Sequence, residues 1–512
     1  MRLLFALALW VSPASAVTLA DGRACLDRND VPCAQAVVDE LAADKSVRAD
    51  ELRFASRVAF YGGDFETAVD LVNRASKAGW EDKWDDRLLY ERTMRVHAEW
   101  DHIERGNFVV AYRPGVDAVL LHDAVEVLLS SEKNYGPILG GSPSGPTRLE
   151  IYPDGRSFTD ASSLTKENIQ TTGVVALSKW SRLLLTSPRA LGRGYGWKDT
   201  VAHEYIHLVV AHQTDDRAPV WLQEAIAKYL DNRWSDGKDH FKLSVRAQGL
   251  LATAIRDDDF VTFDQMHPSF AKLPSADRAS LAYAQVATMM AFCFQEGGDD
   301  VLLKVFPLLR DGMDAREALA QGSGFKNFAD LETQWMAYVQ GLDLIGKRLA
   351  SMPTLLDGGS AIDADPVLSH RQDLARFLRL GDLLAEKERH KAAMVEYTKA
   401  VPDDEPMSPL LANRMARSWI ALKQLKSAEK VLTESLLDYP EFALTHKTLG
   451  ALHHAQGSKR NAIKSYRAAA DMNPYDPEVI SALADLTVSL GDVKSSKRYQ
   501  DHLRILQRGG EG

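Results

Sequence analysis

The sequence predicts an α+β central domain, built on a small mixed sheet and a mostly helical second lobe, with all-α helical hairpins on both sides. Three observations predict it. Apolar residues recur at helical spacing from Leu19 to about Trp100, short strand-like runs take over beyond Gly106, and an internal repeat of thirty-four or thirty-five residues begins near His370. The 512 residues are 45% hydrophobic and 26% charged, enough for large cores and about three domains. A net charge of -10 with no basic tract excludes nucleic acid as a partner, since backbone binding needs concentrated Lys and Arg.

The chain opens with Met1-Arg2, an apolar run from Leu3 to Val11, and Ala14-Ser15-Ala16, the three regions of a signal peptide spanning residues 1–16. The run is too short to span a bilayer, and no cysteine follows the cleavage point to carry a lipid. The expectation is an exported protein, periplasmic or secreted, with no membrane span. Cys25 and Cys33 are close enough for a disulfide across a helical turn, with two reduced, buried thiols as the alternative; Cys293 lies in an apolar helix. In the segment 17–100, Phe54, Val58 and Tyr61 face Ala68, Val72 and Ala75 across Gly62-Gly63-Asp64-Phe65, as in a helical hairpin. One hairpin buries little, so it is expected to pack on the next domain or join further hairpins, through Trp80, Trp84 and Trp100.

In the segment 101–345, Phe108–Tyr112, Arg148–Tyr152, Val174–Leu177 and Arg182–Leu185 are expected strands, Asp117–Leu129 a helix, and Gly136–Pro146 a surface loop. The chemistry gathers at Thr200-Val201-Ala202-His203-Glu204-Tyr205-Ile206-His207. His203 and His207, four apart, project from one helix face and can ligate one metal ion, while Glu204 stands beside them to take a proton from water. A second helix begins near Pro219 after a short polar loop and brings Glu224, seventeen positions beyond His207, toward the histidines. Two histidines, one carboxylate and an open position make a catalytic zinc site, with one Zn2+ per chain. The pattern H-E-x-x-H-x-x-G-x-x-H fails, because Val210 and Gln213 stand in place of its glycine and third histidine.

At H-E-x-x-H and Trp221-Leu222-Gln223-Glu224-Ala225-Ile226-Ala227-Lys228-Tyr229 the sequence resembles the gluzincins, the thermolysin-like zinc metallopeptidases, and more closely the peptidase MA-like proteins. The resemblance runs from about Asn107 to about Leu342 and includes Leu184–Leu191 and Met266-His267-Pro268. It implies a thermolysin-like catalytic domain that hydrolyses peptide bonds, with a peptide or protein as substrate. It also implies an edge strand before the metal helix, here residues 173–177, that holds an extended substrate by backbone hydrogen bonds. Aminopeptidases of the clan carry a glutamate in that segment; Gly173-Val174-Val175-Ala176-Leu177 has none, which favours an endopeptidase. A phenol from a later helix often assists the oxyanion in such enzymes, and Tyr283 is the residue expected to do so, against the alternative of a core tyrosine. His212 and His267 are expected to be structural or peripheral. Asp199 and Asp231 are the acids one and two turns from the ligands that could back a zinc histidine. Lys228 departs from the thermolysin pattern E-x-x-x-D, so the surroundings of the ligands must differ from that template.

Beyond residue 241 the spacing is mostly helical, with Ser275 as the N-cap of a helix over Asp277–Gln295 stopped by Gly297-Gly298. Residues 346–369 are a linker. From 370 to 508, small residues recur at Gly381, Ala416, Gly450 and Ala484, and twelve positions later at Ala393, Ala428, Ala462 and Ser496. That spacing resembles four tetratricopeptide (TPR) repeats, which implies a solenoid that docks a protein partner or substrate. The hairpin before residue 100 resembles the same repeat. The alternative to an enzyme is a catalytically silent, zinc-containing TPR scaffold or adaptor; a purely structural zinc would need four protein ligands and no base, whereas Glu204 stands ready as one.

Overall fold

The computed structural model describes residues 17–42, 48–81, 85–165, 173–354, 357, 359–403 and 405–509. The expected signal peptide and Trp84 lie outside the described residues. Among the described residues five helices come first: α1 (Leu19–Asp27), α2 (Val31–Ala42), α3 (Ala49–Gly62), α4 (Phe65–Lys77) and α5 (Asp86–His97). Thr18 and Asp21 cap α1 reciprocally, and the Asp64 carboxylate accepts the Thr67 N–H to start α4. Cys25 and Cys33 form a disulfide with Cα atoms 5.6 Å apart. It joins α1 to α2 rather than spanning one helical turn, because Arg28–Asp30 breaks the helix between the two cysteines.

Five strands follow: β1 (Asp101–Arg105), β2 (Phe108–Tyr112), β3 (Thr147–Tyr152), β4 (Ala176–Lys179) and β5 (Arg182–Thr186), in the order β1-β2-β3-β5-β4. The pairs β2–β3 and β3–β5 are parallel, and β1–β2 and β4–β5 antiparallel. Period-two alternation gives the sheet two different faces. Leu149, Ile151, Leu183 and Leu185 point into the main core, shared with α6 (Leu121–Leu139). Glu150, Tyr152, Arg182 and Leu184 point the other way, toward the N-terminal helices and α7 (Gly155–Asp160). On that face the fully buried Arg182 and Glu150 form an ion pair at 2.9 Å, with Arg148 also at 2.9 Å, and the Arg182 guanidinium lies 4.5 Å from the Phe60 ring centroid.

Two expectations are corrected here. The helix after Asp117 runs to Leu139 instead of stopping at Leu129, so the loop begins only at Gly140; burial of Tyr135, Ile138 and Leu139 holds the last turn in place although Pro137 lies within it. The strand expected at 173–177 forms at Ala176–Lys179, although Val175 still accepts a hydrogen bond from the Thr186 N–H at 2.8 Å.

The two site helices are α8 (Trp197–Gln213) and α9 (Val220–Leu230). The helical second lobe comprises α10 (Val245–Asp257), α11 (Ala276–Gly297), α12 (Val301–Arg310), α13 (Ala315–Gly322) and α14 (Phe328–Gln340). Ser275 caps α11 by accepting the Arg278 N–H, and Gly298 ends it. Four hairpins complete the described chain: α15 (Gln372–Glu386) with α16 (His390–Lys399), α17 (Pro409–Ala421) with α18 (Leu425–Asp438), α19 (Ala443–Ala455) with α20 (Lys459–Met472), and α21 (Pro477–Ser489) with α22 (Val493–Gly509). Small residues sit where paired helices cross: a Cβ on Gly381 would lie 2.2 Å from the Tyr397 ring and one on Gly450 2.7 Å from the Tyr466 ring. This array packs back on the central domain, where Tyr475 donates its hydroxyl to Asp117 at 2.6 Å and Lys198 pairs with Asp471 at 2.6 Å.

Candidate metal centre

Helix α8 is apolar almost all the way round, so it lies in the middle of the core with only a narrow polar face left for chemistry. Its Val201, Ala202, Tyr205, Ile206, Val209 and Val210 are buried. Helix α9 starts just after Pro219 and runs alongside, anchored by Trp221, Leu222, Ile226 and Leu230. His203 and His207 leave α8 on one side, and Glu224 leaves α9 toward them.

The three candidate ligand atoms form a nearly equilateral triangle. His203 Nε2 and His207 Nε2 are 3.1 Å apart, and Glu224 Oε2 lies 3.4 Å from the first and 3.6 Å from the second. Ligand atoms about 2.0–2.2 Å from a tetrahedral zinc are separated by roughly 3.3–3.6 Å, so this donor set fits the ion. Glu224 Oε2 is buried and has no hydrogen-bond donor among the described residues, an orphaned oxygen that a bound cation would satisfy. Burial alone would push the Glu224 carboxyl up, but the facing His207 and His203 outweigh it and hold it well below the usual carboxylate range. Burial and then the Lys228 charge depress His203 to about 3, which leaves the imidazole neutral, as a metal ligand must be.

Glu204 is buried beside the triangle, and that burial raises its carboxyl to about 7. The backbone N–H of Ser178, on edge strand β4, faces the same carboxylate. Tyr283, on α11, is packed against Phe270 with ring centroids 4.8 Å apart. Its phenol is held well above its ordinary range by burial first and then by Glu224 and Glu204, so it stays a proton donor within electrostatic reach of both.

The acids around the ligands divide their roles. Asp231 Oδ2 is 4.0 Å from His203 Nδ1 and 3.6 Å from Lys228 Nζ. Asp199 instead accepts the Trp234 indole N–H at 2.6 Å, so it does not back His203. One positioning residue escaped the sequence: Tyr135 of α6 donates its hydroxyl to the carbonyls of Leu230 at 3.0 Å and Asp231 at 3.3 Å, closing the C-terminal end of α9. A tyrosine in an apolar helix carries no signal for that. His212 contacts the Arg28 carbonyl at 2.9 Å and His267 is exposed, both away from the triangle.

Among solved structures, the chain is similar to native yeast LTA4 hydrolase, at 12% identity over 80% of this chain and 66% of that one, with a TM-score of 0.33. MamA from Desulfovibrio magneticus RS-1 is 17% identical over 42% of this chain and 99% of that one, with a TM-score of 0.25. No curated protein sequence matches. Residues 137–341, which carry the whole triangle, Glu204 and Tyr283, match the family described as the Peptidase MA superfamily.

Proposed function

We propose that this protein is an exported, zinc-dependent endopeptidase with one zinc per chain. The observation that carries the reading is the triangle of His203, His207 and Glu224, with sides of 3.1–3.6 Å and an orphaned buried oxygen at one corner, set beside a buried carboxylate. A zinc ion bound there supplies a Lewis acid for the scissile carbonyl and lowers the pKa of the attacking water. Glu204 takes the proton from that water and returns it to the leaving amine, a shuttle suited to a carboxyl titrating near 7. Tyr283, kept protonated, donates to the oxyanion as it develops. Among the described residues strand β4 pairs with β5 on one side only, and its other edge would offer backbone groups to an extended substrate. The Cys25–Cys33 disulfide suits an oxidising compartment, and among the described residues no helix is long and apolar enough to cross a membrane. The TPR solenoid docks a protein partner or the substrate.

Metal analysis and hydrolysis of an unbiased peptide library test the proposal, on the purified chain and on Glu204→Gln. About one zinc in each with cleavage only by the former supports it. Zinc in both with cleavage in neither supports the silent scaffold, and full turnover by Tyr283→Phe would remove that residue from the chemistry.

A further inference from the structure

Where the solenoid meets the loop leading into α8, the structure holds a cavity of ≈ 310 Å³. Three separate parts of the chain line it: Arg193 from that loop, Ser360 from the linker, and Leu410, Phe442, Lys447 and Asn473 from the solenoid. Its volume is at the lower end of the range for small-ligand sites, about 300–1,000 Å³. That is room for a terminal residue or a small acid, not for a folded partner.

The two cations lining it differ. Lys447 is neutralised by Asp476 at 2.8 Å and Glu478 at 2.7 Å. Arg193 has no carboxylate within ion-pair distance among the described residues. Its Nε donates to the Pro353 carbonyl at 3.5 Å and its Nη1 to the Gly194 carbonyl at 3.2 Å, which leaves most of its five N–H donors without a partner among the described residues. The acid that acts on it, the exposed Glu441, does so through space without contact. Burial accordingly pushes the guanidinium down from its ordinary range. A half-buried cation without a counter-ion is unfavourable, and a planar guanidinium fork matches a carboxylate in shape and charge.

We propose that this cavity binds a carboxylate on the Arg193 guanidinium, with the side-chain amide N–H of Asn473, whose oxygen already accepts the Tyr475 N–H, as a further donor and Leu410 and Phe442 against the adjoining carbon chain. The carboxylate can come from the C-terminus of a peptide or from a small organic acid. The site is separate from the metal centre and does not rest on the peptidase reading. Because its walls come from the solenoid, the linker and the loop that enters α8, an occupant ties all three together.

The test uses the full chain carrying Glu204→Gln, so that probes survive. A fluorescent tetrapeptide library with free C-termini and the same library C-amidated are compared by anisotropy, and succinate by thermal shift and competition. The expected result is binding of the free acids with amides about tenfold weaker or more, a preference lost in Arg193→Met and partly kept in Arg193→Lys. Succinate that raises Tm and competes identifies a free organic acid as the source; preference among peptides with no succinate effect identifies a terminus. Equal binding of acids and amides, or no binding by any probe at millimolar concentration, overturns the proposal. So does a Tm several degrees lower for ligand-free Arg193→Met, since removing a half-buried cation that has no counter-ion should hold or raise Tm.

Discussion

Glu150 and Glu204 are both buried carboxylates, and their neighbours drive them in opposite directions. Around Glu204 desolvation wins. Around Glu150 burial pushes up too, but Arg182, His97 and Arg148 outweigh it and Tyr152 adds a hydrogen bond at 2.7 Å, so the group stays ionised. His97, beside this network, is depressed to about 4 by burial, against the pull of Glu150 and with the push of Arg182 and Arg148. The sign of its effect follows: an unfolded histidine takes a proton near pH 6.5, while the native one resists until about 4. Stability from His97 is therefore complete above about pH 6.5 and lost as pH falls toward 4, by roughly 3 kcal/mol in all. The expected result is that the thermal midpoint of His97→Gln falls less than that of the parent between neutral and mildly acid pH. At the metal centre the test is Asp231→Asn against Asp199→Asn. The first removes the acid near His203 and should weaken zinc binding about 10–100-fold in a chelator competition; the second, whose carboxylate serves Trp234, should leave it nearly unchanged. That His203, His207 and Glu224 come together was legible because i,i+4 spacing and a short loop fix which faces meet. The choice between Asp199 and Asp231 was not, because it depends on how α8 and α9 are rotated against each other.

Among the elements, those with a strong apolar period were legible and those held by tertiary contacts were not. Phe108–Tyr112 forms the strand its pattern predicts, whereas β1, Asp-His-Ile-Glu-Arg, is an exposed polar edge with no alternation to reveal it. Arg182 gave no sign that it is fully buried, since its partner Glu150 lies thirty-two positions away on the neighbouring strand. The helix hairpins after residue 370 were legible through their small residues, and the geometry explains why those residues are small. At Gly450 the two helices approach until a Cβ would stand 2.7 Å from the ring of Tyr466, which is itself buried between them. Gly450→Ala gains up to about 1 kcal/mol of helix propensity but overpacks the crossing by roughly 1–3 kcal/mol. A net loss in thermal stability is expected, and a gain would mean that the ring can move aside.

At the scale of the whole molecule, the solenoid is stapled to the turn that launches α8, the helix that carries His203 and His207. Gly194 has φ +69°, and a Cβ there would lie 2.4 Å from the Met472 carbonyl oxygen; the next residue, Tyr195, donates its N–H to that same oxygen at 3.1 Å. Lys198, in the first turn of α8, bridges Asp471 of the solenoid at 2.6 Å and Asp123 of α6 at 2.8 Å, and Arg498 reaches Asp123 as well. His203 follows only nine positions after Gly194. If these contacts hold α8 in register with α9, opening the junction should loosen the ligand triangle without touching a ligand. Gly194→Ala opens it, since the methyl group meets backbone that cannot rotate away. The control is Gly457→Ala, at φ +77° with nothing within 4 Å of the added Cβ, which carries similar backbone strain and no clash. Gly457→Ala should cost about 1 kcal/mol in stability and leave zinc affinity unchanged. Gly194→Ala should cost more and weaken zinc binding several-fold in the same chelator competition. Equal zinc affinity in the two variants would mean that the solenoid rests on the central domain without bracing α8.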